Sequence, residues 1–154
     1  MPDLSSISGI MVQLHINGET SLFILLGADG SITRVGTGTS ETDRAMYIGK
    51  TDPALFQRLR QQIMPEFLGW LGKHLQEPQP RGNICELTVG LQDSDGKEWT
   101  TAFRYGSESY GPPPEVGQFV FMAVNATNPW YERQRAMGIS AARQDRKRPW
   151  WRFW

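Results

Sequence analysis

Between Ile10 and Asn17 the side chains alternate, with Ile10, Val12, Leu14 and Ile16 on one side and Met11, Gln13, His15 and Asn17 on the other. A period of two belongs to a strand with one face buried. Asn17-Gly18 follows, and both residues tolerate positive φ, so a hairpin turn is predicted there. Ser21 to Leu26 is a nearly continuous apolar run, read as a central strand. Ala28-Asp29-Gly30 gives a second tight turn and Ser31–Val35 a third strand. Gly36 to Ser40 is a loop, and Ala45 to Gly49 a short strand.

The period then changes. Asp52 can cap a helix, and Pro53 suits its first position. Leu55, Leu59 and Ile63 recur at spacing four, with Phe56 beside them. Pro65 interrupts the stripe, which resumes as Phe67, Leu71 and Leu75 with Leu68 and Trp70. Two consecutive helices, or one kinked at the proline, are predicted over 53–75. Glu77 to Gly82 is a proline-bearing connector.

Alternation returns at Ile84–Gln92, where Cys85, Leu87, Val89 and Leu91 share one face. Asp93-Ser94-Asp95-Gly96 makes a turn, and Glu98–Tyr105 a return strand with Trp99, Thr101, Phe103 and Tyr105 on one face. Gly106 to Gly117, with three consecutive prolines, reads as a long exposed loop. Phe119–Val124 is apolar on both faces and reads as a central strand. Thr127-Asn128-Pro129 repeats the helix-start logic of Thr51-Asp52-Pro53, so a helix is expected from Pro129 to Met137, stopping at Gly138.

These elements predict an α+β fold: an antiparallel sheet of about six or seven strands with helices packed on one face. The order of hairpin, loop, strand, Thr-Asx-Pro and helix occurs twice. It fits an internal duplication into two similar ββ(β)α halves, and equally the common grammar of α+β chains. One domain over 1–145 and a C-terminal tail over 146–154 are expected. A chain of 154 residues can bury roughly 70% of its unfolded surface without a disulfide or metal staple.

Charge changes the picture only locally. The 16 basic and 16 acidic side chains cancel overall. From Arg133 to Arg152, however, Arg133, Arg135, Arg143, Arg146, Lys147, Arg148 and Arg152 face only Asp145, with Glu132 just before. A basic end therefore sits on an acidic body. The zero net charge argues against a nucleic-acid partner. Nothing resembles a secretory leader or an apolar run of 18 residues, and one cysteine forms no internal disulfide, so a cytoplasmic protein is expected.

Chemistry-bearing residues are sparse. Cys85 falls on the apolar face of its strand, the setting of a structural thiol. His15 and His74 lie far apart without zinc-ligand spacing. Asp93-Ser94-Asp95-Gly96 echoes a calcium loop, but Arg104 stands where the twelfth-position glutamate belongs. Gly49-Lys50-Thr51 lacks the upstream glycine of a P-loop. No Gly-x-Ser-x-Gly elbow occurs. Asn125-Ala126-Thr127 matches a glycosylation acceptor by chance. No catalytic set, metal site or cofactor is expected.

The most unusual segment is the last, in which Trp150, Trp151, Phe153 and Trp154 interleave with Arg146, Lys147, Arg148 and Arg152. It would pack back on its own domain in a groove between helix and sheet, dock on another subunit or protein, or sit at a membrane surface. Its composition resembles short Trp/Arg-rich membrane-active peptides, and that likeness implies no family.

Three functions compete. The first is a non-enzymatic protein-binding domain, accessory or inhibitory, with a protein partner or a second copy. Its contact residues would be Trp130, Tyr131, Arg148, Trp150, Trp151, Arg152, Phe153 and Trp154, with Tyr110 in the proline-rich loop. The second is a small-molecule-binding domain or cryptic enzyme, with a pocket between the sheet and the 53–75 helices gathering His15, Glu86, Arg104 and Tyr105. The third is a peripheral membrane protein anchored by the tail.

Overall fold

The computed structural model describes residues 2–40 and 42–138. After a 3-10 turn at Leu4–Ser6 come β1 (Ile7–Ile16), β2 (Glu19–Gly27), β3 (Ser31–Val35) and β4 (Met46–Lys50). Helices α1 (Pro53–Gln61) and α2 (Pro65–Leu68) lead to β5 (His74–Gln76), β6 (Ile84–Asp93), β7 (Glu98–Gly106) and α3 (Pro114–Met137). The strands form one seven-stranded sheet in the order β4-β3-β2-β1-β6-β7-β5. Every pairing is antiparallel except β5 with β7, which is parallel. The fold is therefore α+β with a mostly antiparallel sheet.

Local chemistry accounts for most of these elements. Asn17 and Gly18 take φ of 52° and 81°, the left-handed pair that closes a tight hairpin. The Asp52 carboxylate accepts from the Ala54 N–H at 2.9 Å and caps α1. The Asp93 carboxylate accepts from the N–H groups of Asp95 and Lys97, so the calcium-like sequence is spent on a turn.

Three expectations are corrected. The 53–75 region is helical only through Leu68, and His74–Gln76 becomes a strand. The chain turns at Gly72, whose φ is 89°, and docks beside β7. The expected loop over 106–117 ends at Pro113, because Pro114 begins α3. The expected strand Phe119–Val124 lies inside α3, and Thr127-Asn128-Pro129 is mid-helix, so the repeated element order of the two halves is absent there. Val116, Phe119, Ala123, Thr127, Trp130 and Tyr131 are the buried residues of α3, a helical period running past the short apolar run. Pro129 removes one backbone donor, but it and Asn125, whose carbonyl loses that donor, are both exposed to water. Gly138 ends α3 with φ of 67°, as its sequence predicts.

The main core joins Ile10, Val12, Ile24, Leu26, Leu87 and Val89 to Phe56, Leu59, Phe67, Phe119 and Tyr131 of the helices. A second cluster, Met11, Phe23, Leu25 and Val35, lies on the alternate strand positions, with Met46 packed against it. At β4, Gly49 makes room for α3, since a Cβ there would sit 2.8 Å from Cζ2 of Trp130.

Candidate functional site

A hollow of about 590 Å³ lies where β5, the turn after α2, β7 and the proline-rich loop meet. Its construction starts at Gly72, whose N–H donates to the Thr100 carbonyl at 2.7 Å. The Lys73 carbonyl then accepts from Ala102 N–H and from the Thr101 hydroxyl. Glu77 N–H donates to the Arg104 carbonyl at 2.9 Å, which completes the docking of β5 along β7. The facing wall is tied down by Gly111 N–H, which donates to Glu77 Oε1 at 3.0 Å. Gly106 allows the Arg81 backbone to pass directly over the end of β7, where any Cβ would collide with it.

Aromatic and proline side chains dominate the lining. Trp70 packs edge-on against Phe103 with ring centroids 5.9 Å apart, and Lys73 lies over the Trp70 ring at 4.9 Å. The Trp70 indole N–H donates to Glu115 Oε1 at 2.7 Å, joining the α2 turn to the start of α3. That hydrogen bond holds the Glu115 carboxyl below its ordinary range. Burial pushes the Tyr105 phenol up to about 12, with further repulsion from Cys85 and Glu77, so it is a neutral donor at pH 7. At the mouth, Leu75 is 47% exposed and Tyr110 is 97% exposed. The cleft is thus an apolar trough with a few polar groups, among them Gln76, Glu77, Glu115, Arg104 and Tyr105.

The four residues expected to share a pocket are divided by the sheet. His15 pairs with Glu86 across β1 and β6, and Glu86 with Arg104 across β6 and β7, so these three form one row. Tyr105 follows Arg104 and faces the other way, beside Cys85. Among the described residues no hydrogen bond or ion pair joins the three to one another. The His15 ring instead meets Gln13 Nε2 at 2.9 Å and Thr20 Oγ1 at 3.3 Å. The row lies on the sheet face of Met11 and Leu25, opposite the face that carries Val12 and Tyr105, so the four do not converge on one pocket. Only Arg104 and Tyr105 of the four line the large cleft.

Trp130 and Tyr131 are correctives too, being 6% and 0% exposed. They hold α3 against the sheet, Tyr131 standing edge-on to Tyr47 at 5.8 Å, and offer no exposed anchor. Arg148, Trp150, Trp151, Arg152, Phe153 and Trp154 lie outside the described residues.

Other chemistry-bearing features have local explanations. Cys85 is buried, and burial raises its thiol pKa, which disfavours the reactive thiolate. Thr51 donates to the Gly30 carbonyl at 3.1 Å, and the Asp52 carboxylate accepts from Ala54 N–H at the α1 N-terminus. Among the described residues no group of three or more His, Cys, Asp or Glu converges as metal ligands. No helix among them is long and apolar enough to cross a membrane.

Comparison with protein-family models, with curated proteins and with solved structures finds no match for this chain.

The cleft residues Trp70, Leu75, Glu77 and Glu115 escaped the sequence reading. Their only signal was the density of aromatic and proline residues on both sides of β7, at 65–80 and 105–114.

Proposed function

We propose that this chain is a non-enzymatic protein-binding domain, accessory or inhibitory in kind, that takes an extended segment of its partner into the cleft at β5. The observation that carries this reading is the exposure of Leu75 and Tyr110 at the mouth of an apolar trough, beside a sheet-edge strand. An edge strand offers backbone donors and acceptors to an added strand, and the trough takes alternate side chains. The three helices form one layer on one face of the sheet, and the cleft opens at the end of that layer. Glu77 and Glu115 at the rim suit a partner segment with a cationic residue beside its apolar ones.

A second reading is supported by volume. A cavity of about 590 Å³ falls within the range of small-molecule sites, and Tyr105 and Arg104 would orient a ligand. Peptide-display selection on the intact protein separates the two. Selected peptides should carry alternating apolar residues with Lys or Arg, and should lose binding to Leu75→Glu and Tyr110→Ala variants of unchanged circular dichroism. Failure to enrich any common pattern, together with small-molecule hits that protect the cleft from hydrogen exchange, would transfer the site to the second reading.

A further inference from the structure

The sheet has a second face, and it is uneven. Toward β6, β7 and β5 it presents Glu86, Thr88, Thr100 and Arg104. Toward β1–β4 it presents Met11, Phe23, Leu25, Val35 and Met46, an apolar cluster of its own. Met11 is 9%, Leu25 5% and Val35 5% exposed, although the buried hydrophobic residues of all three helices belong to the other cluster. A hollow of about 310 Å³ opens on this face, lined by Phe23, Val35, Met46, Gln13, Thr20 and Arg44. Ile48, on the same face of the edge strand β4, is 41% exposed.

The end of α3 lies close to that edge. Arg34 of β3 bonds Thr127, Tyr47 of β4 packs on Tyr131, and Gly49 of β4 abuts Trp130. Gly138 ends the helix in the left-handed conformation. Sixteen residues follow it, a reach of roughly 50 Å when extended. Rounding the sheet edge and crossing from β4 to β1 takes three strand spacings of about 4.8 Å and one layer of about 10 Å. Length and starting point therefore both suffice.

Composition matches as well. Through Gly138 the chain has 11 basic and 15 acidic side chains, and beyond it five basic and one acidic. The two parts carry opposite charges of four, so they attract. The terminal segment also supplies three tryptophans and a phenylalanine, large apolar groups of the kind that the β1–β4 half of this face takes and the β6–β5 half does not.

We propose that the segment after Gly138 folds back around β4 and seats Trp150, Trp151 and Trp154 on the Met11–Leu25–Val35 face of its own chain. The occupant is this chain's own terminus, and the site is separate from the β5 cleft, so the two proposals stand or fall independently.

Methyl NMR on the full chain tests it. In the wild type, cross-relaxation is expected between tail indole protons and the methyls of Met11, Leu25, Val35 and Met46, unchanged on tenfold dilution. In a full-length variant with Trp150, Trp151, Phe153 and Trp154 all changed to Ser, those methyls should lose their ring-current shifts while Ile10, Val12 and Ile24 keep theirs. Absence of the cross-relaxation in the wild type overturns the proposal, whatever the variant does. Contacts that disappear on dilution, or that arise only between differently labelled copies, assign the tail to a second copy and also overturn it. So does a tail whose indole signals broaden with anionic vesicles while the four methyls are unaffected.

Discussion

Arg34 Nη1 donates to the hydroxyl of Thr127 at 2.8 Å, which ties the third strand to the middle of the long helix inside the core. Arg34 is wholly buried, with its guanidinium 4.4 Å over the Tyr131 ring and its Nε donating to the Gly36 carbonyl. Burial lowers its pKa to about 10, and no carboxylate among the described residues lies within ion-pair distance. Breaking one bond of a buried charge costs more than removing the charge. Thr127→Val should therefore destabilise by about 1.5–3 kcal/mol, while Arg34→Met, which leaves Thr127 bonded to the Ala123 carbonyl, should cost less. Urea unfolding of the two variants checks the order, and a more damaging Arg34→Met would refute it.

Pro129 supplies a test of the helix itself. Within a continuous helix proline is disfavoured relative to alanine by about 3 kcal/mol, whereas at a first helical position it is well tolerated. Because Pro129 is exposed inside α3, Pro129→Ala should raise the melting temperature. An unchanged or lower value would mean that the helix begins at Pro129.

The Tyr105 phenol gives a pH dependence of known sign. Its folded pKa is raised to about 12 from an ordinary value near 10. The folded state thus keeps a proton that the unfolded state releases, so the contribution is full below pH 10 and is lost as pH rises toward 12. Tyr131 and Cys85 are shifted in the same direction, so the informative quantity is a difference. Stability of Tyr105→Phe should fall less steeply between pH 9.5 and 12 than that of the wild type. Parallel curves would place the phenol in an ordinary environment.

At the cleft, Trp70 and Glu115 report on each other. The indole N–H lowers the Glu115 pKa, so Trp70→Phe should return that carboxyl toward its ordinary range in a carbon-detected titration. Glu115 stabilises the fold above its unfolded pKa and loses that effect as pH falls through the lowered value. The variant should accordingly show a weaker acid dependence. A Glu115 titration identical in both proteins would show that the indole bond is not made in solution.

Gly49 faces Trp130 with no room for a side chain. Gly49→Val should destabilise by about 1–3 kcal/mol through overpacking, and its near-ultraviolet circular dichroism should change because the tryptophan has to move. A silent substitution would mean that α3 does not pack here.

How far the sequence foretold this structure depends on how local each determinant is. The alternation of β1 and β6, the Asn17-Gly18 turn and the Asp52-Pro53 cap act over a few residues, and each forms where its pattern points. Phe119–Val124 reads as a strand because six adjacent apolar residues, four of them aromatic or β-branched, favour one. The helical period shows only from Val116 through Tyr131, where tertiary contacts decide the outcome. His74-Leu75-Gln76 carries no strand signal at all, since all three residues are exposed and their pairing is decided by Ala102, Phe103 and Arg104. The cleft inherits that difficulty, because its walls come from segments that meet only after β5 has docked. His15, Glu86 and Arg104 do share a row, but the alternation that placed Tyr105 on the opposite face was already visible.

The pairing of β1 with β6 has a consequence for how the protein is made. Ile16 meets Cys85 and Ile7 meets Asp93, partners roughly seventy to eighty-five residues apart, a separation that slows folding. During synthesis the β1–β4 meander leaves the ribosome well before β6 exists. Until then the backbone edge of β1 and the apolar row Ile10–Val12–Leu14 are open to neighbouring chains. The nascent protein should therefore be most vulnerable to aggregation, and most dependent on chaperones, between the emergence of Leu26 and that of Asp93.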